Sequence, residues 1–283
     1  MFNISQKFFK RLHDKKLLIA LHRGASAASI IENTSEAAII GKLQGADIIE
    51  ADVIRTIDGK YYMFHDGNEK RLLGVEKNIR EMTSNEVNSY NFYNEIGDEI
   101  SKKVEALEDY LKNAPKDVFI NIDRSWWYWD NLLDVFDKYE SLHEYILFKS
   151  PVDKKYLEYL NNHNIKYMYF PIVKSVEDIS IIQEYEGINV VGFEIIETSD
   201  EYKIIDSKEL NDYKEKHDIM VFVNTMKLND DTKLFGSLDD EKVLFNSPDE
   251  VWGTMINLGV NAIQTDWPDI LYRYRENKFK NEQ

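Results

Sequence analysis

The sequence predicts an α/β protein, a (β/α)8 TIM barrel with a small insertion after the second strand. Short apolar runs rich in β-branched and aromatic residues recur along the chain, and helical patterns lie between most of them. Once one run that resembles a hairpin arm is set aside, eight strand units remain, which favours a closed barrel over an open sheet. We expect the 283 residues to form one barrel domain, residues 1–283.

The predicted elements follow one another in regular alternation. Strands are predicted at residues 17–21, 46–54, 60–64, 117–122, 144–148, 165–170, 189–195, 219–223 and 260–264. Helices are predicted at residues 34–44, 104–113, 128–141, 153–163, 176–186, 207–217 and 248–258. The run at 60–64 follows the turn signal Asp58-Gly59, so it is expected to form a hairpin with the end of the second strand. Residues 66–103 carry no barrel pattern and are interpreted as the insertion, polar and partly helical.

Composition excludes several classes of function. The formal net charge is −16 and the basic residues form no long run, which argues against nucleic-acid binding. The absence of cysteine excludes disulfides, zinc–thiolate sites and cysteine nucleophiles. The N-terminus lacks the apolar stretch of a signal peptide, and no run of about 18 apolar residues exists, so we expect a cytoplasmic protein with no transmembrane segment.

Polar side chains gather at the predicted strand ends, where the functional groups of a barrel lie. These residues are His22-Arg23-Gly24, Glu50 with Asp52, His65-Asp66, Asp123-Arg124 and Lys149-Ser150. The other histidines, His13, His143, His163 and His217, fall in helical or linker segments and are interpreted as structural.

Three of these carboxylates predict a cation site. Glu50 and Asp52 are two residues apart, so both point to the same side of their strand, and Asp123 on the next strand can supply a third oxygen ligand. Carboxylates held together repel one another unless a cation binds them. Oxygen ligands without cysteine suit a hard divalent cation, Mg²⁺ or Ca²⁺.

At this point the sequence resembles the glycerophosphodiester phosphodiesterase family over nearly its whole length. The matching segments are His22-Arg23-Gly24, Glu32-Asn33-Thr34, Gly45-Ala46-Asp47, Glu50-x-Asp52-Val53, Thr56-x-Asp58-Gly59, His65-Asp66, Arg71 and Thr265-Asp266-Trp267-Pro268. The resemblance implies a barrel enzyme that uses a divalent cation to hydrolyse a small-molecule phosphodiester such as a glycerophosphodiester. It further implies that His22 and His65 are the catalytic acid–base pair, that Glu50 and Asp52 bind the metal, and that Arg23 contacts the phosphate.

The third strand departs from the family pattern. The family usually has E-x-K there, with the glutamate as metal ligand and the lysine near the phosphate, whereas this chain has Asp123 and Ser125. We expect Asp123 to serve as the third metal ligand and Lys149, at the end of the fourth strand, to replace the missing cation as a second phosphate contact.

Two other functions stay open at this point. The first is a phospholipase-D-like lyase acting on lysophospholipids, for which the run Trp126-Trp127-Tyr128-Trp129 could supply an apolar mouth. The second is a barrel that binds a phosphorylated ligand without catalysis, which the altered third strand would explain. Against the second stands the presence of both histidines and of the Glu50–Asp52 pair.

Overall fold

The computed structural model describes residues 2–227, 233–245 and 247–280. Its strands are β1 (Leu18–Leu21), β2 (Ile48–Arg55), β3 (Tyr61–Met63), β4 (Phe92–Tyr93), β5 (Glu99–Ile100), β6 (Phe119–Asp123), β7 (Ile146–Phe148), β8 (Met168–Tyr169), β9 (Ile172–Val173), β10 (Asn189–Val190), β11 (Gly192–Ile195), β12 (Met220–Asn224) and β13 (Ala262–Thr265). Its α-helices are α1 (Gln6–Lys15), α2 (Ser35–Leu43), α3 (Glu69–Leu73), α4 (Ser84–Ser89), α5 (Leu107–Asn113), α6 (Trp129–Phe136), α7 (Lys154–Asn162), α8 (Val176–Ile182), α9 (Lys208–Lys216), α10 (Asp240–Phe245), α11 (Thr254–Asn257) and α12 (Pro268–Lys278). A π-helical turn at Asp249–Gly253 leads into α11.

The parallel strands form the predicted barrel. From β1 the sheet runs through β2, β6, β7 and β8 in one direction and through β13, β12, β11 and β9 in the other. β8 and β9 belong to one stretch that is interrupted at Pro171, which has no N–H to donate, and β10 and β11 belong to the next stretch. Because β8 pairs with β10 and β9 pairs with β11, the two ends of the sheet meet and the ring closes. The predicted hairpin is also confirmed, since β3 pairs antiparallel with β2.

The barrel interior is filled with apolar side chains at one end. Leu18, Ile48 and Phe119 share a buried cluster with inward residues of the other strands. Helix α1 closes this end, because its Phe8 and Phe9 belong to the same cluster and the Phe8 ring lies 5.2 Å from that of Phe119. The opposite end, where the parallel strands terminate, is therefore the only end at which inward polar side chains of the described strands can meet a small molecule.

The segment predicted as an insertion contains short elements of its own. Helices α3 and α4 and the two-stranded β4–β5 ribbon lie within residues 66–103. Buried residues there, including Ile79, Val87 and Phe92, form a cluster separate from the barrel core. Within the described ranges, every helix is too short or too polar to span a bilayer.

Candidate active site

The carboxyl ends of β1, β2, β3, β6 and β7 bring the predicted site residues to the same end of the barrel. Asp52 and Asp123 are direct partners in the register of β2 and β6. His65 follows Phe64, whose backbone N–H donates to the Asp52 carbonyl oxygen at 3.0 Å. His22 continues β1, and its backbone N–H lies 3.5 Å from the carbonyl oxygen of Thr265. Residues that follow neighbouring strands therefore lie close together in space.

Glu50, Asp52 and Asp123 form a group that could hold a divalent cation. Each offers a carboxylate oxygen, and these oxygens lie within 4.8 Å of one another. Glu50 and Asp52 are almost completely buried. Burial, together with the charges of Asp52 and Asp123, raises the pKa of Glu50 well above its usual range. A hard cation relieves this repulsion, so an all-oxygen donor set of this kind matches Mg²⁺ or Ca²⁺.

Asn33 and Arg23 hold the carboxylates in place. Asn33 Nδ2 donates to Asp52 Oδ2 at 3.0 Å, while its Oδ1 accepts the Asp52 backbone N–H at 2.8 Å. The backbone N–H of Arg23 donates to Glu50 Oε2 at 2.8 Å, which the left-handed conformation of Arg23 (φ 55°) permits. The Arg23 guanidinium lies between Asp52, at 3.3 Å, and Glu32, at 2.9 Å. Arg71 contacts the second oxygen of Glu32 at 2.7 Å.

His22 is oriented by a carboxylate. Its Nδ1 lies 3.2 Å from Asp266 Oδ1, in the segment Thr265-Asp266-Trp267-Pro268. An ionised carboxylate only accepts hydrogen bonds, so Nδ1 carries the proton in this pair and Nε2 keeps its lone pair in the neutral ring. The Asp266 loop is itself anchored, because buried Asp240 accepts the backbone N–H of Asp266 at 3.0 Å and the Thr265 hydroxyl at 2.7 Å.

His65 is oriented by a carbonyl group instead. Its Nδ1 donates to the backbone oxygen of Asp66 at 2.7 Å, which leaves Nε2 as the acceptor of the neutral ring. The Asp66 side chain accepts from Arg124 at 2.7 Å, so the loop that carries His65 is tied to the end of β6 next to Asp123. Both histidines thus present the same ring nitrogen for proton transfer.

Lys149 reaches the carboxylate group from the end of β7. It is 3% exposed, and its Nζ lies 2.8 Å from Asp123 Oδ2 and 3.1 Å from Glu194 Oε2. Burial alone would lower the pKa of Lys149, but these two carboxylates hold it above its usual value. Ser125 does not share this location, because its hydroxyl is buried and accepts from the Trp129 indole at 3.0 Å. Ser125 therefore contributes no charge to the carboxylate group, and its hydroxyl is used in packing.

The aromatic run after β6 packs mostly inside the protein. Trp126, Tyr128 and Trp129 are buried, and Trp129 lies edge-on to Phe148. Only Trp127 of this run is exposed, at 38%, and the guanidinium of Arg80 lies 4.4 Å from its ring centre. Most of this run therefore packs in the core, and only the Trp127 indole is exposed at the rim of the barrel.

The remaining four histidines pair with groups outside this site. His13 Nε2 lies 2.7 Å from Asp218, and His163 Nε2 lies 2.9 Å from Asp137. His143 lies 3.2 Å from the Asp137 carbonyl oxygen. The ring of His217 packs on Tyr213. These contacts lie outside the site, and the interpretation of the four residues as structural stays a prediction.

Two residues of the site were not singled out from the sequence. Asp266 belongs to a segment noted only for its resemblance, and nothing in its spacing indicates a contact with His22. Glu194 lies in the predicted strand 189–195, and alternation along that strand is the signal that could have placed it inside the barrel, since Phe193 and Ile195 pack in the outer core.

Comparison with known proteins shows which family and fold this chain matches. The model of the glycerophosphoryl diester phosphodiesterase family matches residues 22–270. Similar solved structures include a glycerophosphoryl diester phosphodiesterase from Parabacteroides distasonis, with a TM-score of 0.69 and 17% identity, covering 93% of this chain and 87% of that one. The glycerophosphodiester phosphodiesterase of Thermotoga maritima gives a TM-score of 0.63 and 21% identity over 91% of this chain and 98% of that one.

A third similar structure carries a product. It is a phosphodiesterase from Oleispira antarctica in complex with sn-glycerol-3-phosphate, with a TM-score of 0.64 and 17% identity over 92% of this chain and 96% of that one. Among curated proteins, none matches this sequence. At these identities the structural likeness establishes the fold.

Proposed function

We propose that this chain, which belongs to the glycerophosphoryl diester phosphodiesterase family, hydrolyses a glycerophosphodiester to an alcohol and glycerol 3-phosphate. Family membership makes it a phosphodiesterase. One observation carries the finer proposal: two histidines with fixed Nδ1 atoms stand at the same barrel end as three clustered carboxylates. The glycerol 3-phosphate bound to the Oleispira antarctica relative supports the choice of product.

Glu50, Asp52 and Asp123 would hold the divalent cation, Mg²⁺ or Ca²⁺. When bound, the cation supplies positive charge to the phosphate oxygens and stabilises the charge that develops on them during transfer. Asn33 and the Arg23 backbone fix the positions of Asp52 and Glu50 before any ligand arrives, so the carboxylates need little rearrangement.

His22 and His65 would transfer the protons. One Nε2 removes a proton from the attacking hydroxyl group or water, and the other protonates the leaving alkoxide, which is otherwise too basic to depart. Because Asp266 and the Asp66 carbonyl each hold an Nδ1–H, Nε2 is the nitrogen that exchanges protons in both rings: the base starts as the neutral ring, and the acid starts as the imidazolium, whose Nε2 proton goes to the leaving alkoxide.

Arg23 and Lys149 would bind phosphate oxygens. Both are cationic and lie within 3.3 Å of a carboxylate of the cation group. Ser125 is uncharged, whereas Lys149 at the end of β7 lies 2.8 Å from Asp123, which supports a cation from β7 in place of one from β6. Charge-assisted hydrogen bonds of this kind are about twice as strong as neutral ones.

One observation favours the lysophospholipid alternative, namely the exposed indoles of Trp127 and of Trp267, which follows Asp266. A lysolipid chain needs a wide continuous apolar surface, and the three aromatic rings that neighbour Trp127 in the sequence are buried. The glycerophosphodiester is therefore the better supported substrate.

The test is an assay of the purified protein against glycerophosphodiesters and lysophospholipids, with and without EDTA. We expect hydrolysis of a glycerophosphodiester that EDTA abolishes and that Mg²⁺ or Ca²⁺ restores. Full activity in excess EDTA would remove the cation from the proposal, and turnover of lysophospholipids alone would replace the substrate. A protein that binds glycerol 3-phosphate but turns over neither class would be a non-catalytic binder.

A further inference from the structure

Glu194 is a buried carboxylate that lies among the inward-facing residues of the barrel. It sits on β11 and is 3% exposed. Its Oε1 accepts a hydrogen bond of 2.6 Å from Asn224 Nδ2 on the neighbouring strand β12, and its Oε2 faces Lys149 Nζ at 3.1 Å. This hydrogen bond fixes both the amide of Asn224 and the direction in which the second oxygen of Glu194 points.

Lys149 is therefore shared by two carboxylates from different strands. Asp123 lies at 2.8 Å and Glu194 at 3.1 Å from the same ammonium group. An ammonium group that pairs with Asp123 competes with a cation for the same oxygens, since both need the negative charge of that carboxylate. A second carboxylate paired with Lys149 offsets its charge and weakens this competition.

The charges of the connected group agree with this interpretation. Five carboxylates and three cationic side chains are linked by close ion pairs or mutual repulsion, namely Glu32, Glu50, Asp52, Asp123 and Glu194 with Arg23, Arg71 and Lys149. With all of them ionised the group carries two excess negative charges, which one divalent cation neutralises. Without Glu194 only one excess negative charge remains.

We propose that Glu194, held by Asn224, is a positioning residue that acts as the lasting counterion of Lys149 and so keeps Asp123 available to the divalent cation. This inference rests on the proposed cation site of Glu50, Asp52 and Asp123.

The test measures Mg²⁺ affinity directly, by isothermal titration calorimetry on the full chain without substrate. In Glu194→Gln the side chain keeps its shape and can still form a hydrogen bond with the Asn224 amide, but its charge is lost. We expect the Kd for Mg²⁺ to rise at least about tenfold, because Lys149 then pairs with Asp123 alone. The double variant Glu194→Gln/Lys149→Met removes the ammonium group as well, and we expect its Kd to return to within about threefold of the parent value.

Two controls distinguish a specific effect of Glu194 on Mg²⁺ affinity from a general loss of negative charge or of stability. Glu184→Gln removes one negative charge from an exposed position on the protein surface, and its Kd is expected to equal that of the parent. The melting temperature of each cation-free variant checks that the fold is kept. A purely structural role of Glu194 predicts that the double variant, which loses two buried partners, binds Mg²⁺ no better than the single one.

Two results would overturn the inference while leaving the cation site intact. The first is an unchanged Kd in Glu194→Gln. The second is a raised Kd that Lys149→Met fails to restore. Failure of the proposed function has a different signature, because the parent protein would then bind no Mg²⁺ or would bind it equally well after Glu50→Gln.

Discussion

His22 and His65 each use ring nitrogen Nδ1 for a fixed hydrogen bond, so Nε2 is the nitrogen that can accept or donate a proton during the reaction. A positioned acid or base contributes about 10²–10⁴-fold to the rate. We therefore expect His22→Ala and His65→Ala each to lower kcat at least about 100-fold. Circular dichroism should show an unchanged fold, with His143→Ala as a control of near-parent activity. Near-normal turnover in either variant would remove that histidine from the mechanism.

Asp266 gives a second test at the same scale. Its carboxylate can only accept, whereas an asparagine amide can donate to Nδ1 of His22 and so favour the wrong tautomer. We expect Asp266→Asn to lower kcat about tenfold or more while KM changes little. Steady-state kinetics checks this result. If KM rises and kcat is unchanged, Asp266 binds substrate and does not orient the histidine.

Replacing Lys149 tests whether its ammonium group, at the end of β7, takes the place of the lysine that the family usually has on β6 and that this chain lacks. We expect Lys149→Met to lower kcat/KM about tenfold or more, in line with the roughly 1.5–3 kcal/mol of a hydrogen bond to a charged group. The assay should be run at saturating Mg²⁺, so that a change in cation affinity does not enter. Parent-like kcat/KM would mean that the phosphate is held without Lys149.

Between elements, a buried ion pair joins the last helix to the start of the barrel. Arg275 of α12 is 2% exposed, pairs with Asp47 before β2 and donates to the Leu17 carbonyl oxygen at 2.9 Å. Breaking such a pair leaves an uncompensated buried charge, so we expect Arg275→Met to lower the free energy of unfolding by about 3–5 kcal/mol. Urea unfolding measures this loss. Arg273→Met, at an exposed position of the same helix, should change it by less than about 0.5 kcal/mol.

The strands could be predicted because a buried parallel strand appears in the sequence as a run of apolar residues, and turn residues separate one run from the next. Of the predicted strand 165–170 only β8 forms, and β9 follows beyond Pro171, outside the predicted run; the predicted strand 189–195 is divided into β10 and β11. The sequence does not predict the β4–β5 ribbon, because its strands are only two residues long and leave no run to recognise. Helix α12 was also missed, although Pro268 at its first turn is a start signal.

The closeness of the three carboxylates could be predicted because they lie on one strand and on the strand that pairs with it. Glu50 and Asp52 share a face because strand side chains alternate, and Asp123 joins them because β2 and β6 are neighbours. Contacts between distant segments carry no such local signal. The pairing of His22 with Asp266 spans 244 positions, and the contact of Glu194 with Lys149 requires the ring to close across β8 and β9.

At the scale of the whole molecule, the proposed cation links strands that are far apart in sequence. Its ligands come from β2 and β6, and through Lys149 and Glu194 they connect to β7 and β11. A ligand that binds only the folded state stabilises the entire fold, by about 2.7 kcal/mol at 100 times its Kd. We therefore expect Mg²⁺ to raise the melting temperature of the parent protein more than that of Glu50→Gln.

The net charge of −16 requires a control for this measurement, because salt alone screens repulsion among acidic groups and raises stability. NaCl at matched ionic strength supplies the screening without a divalent ion. A specific site predicts a melting temperature that rises with Mg²⁺ beyond the NaCl value in the parent protein only, and that falls again on addition of EDTA. Equal shifts in Mg²⁺ and NaCl, or equal shifts in the parent and Glu50→Gln, would show that the three carboxylates do not hold the ion. Such a result would leave the buried repulsion around Glu50 to be relieved by protonation, in keeping with its raised pKa.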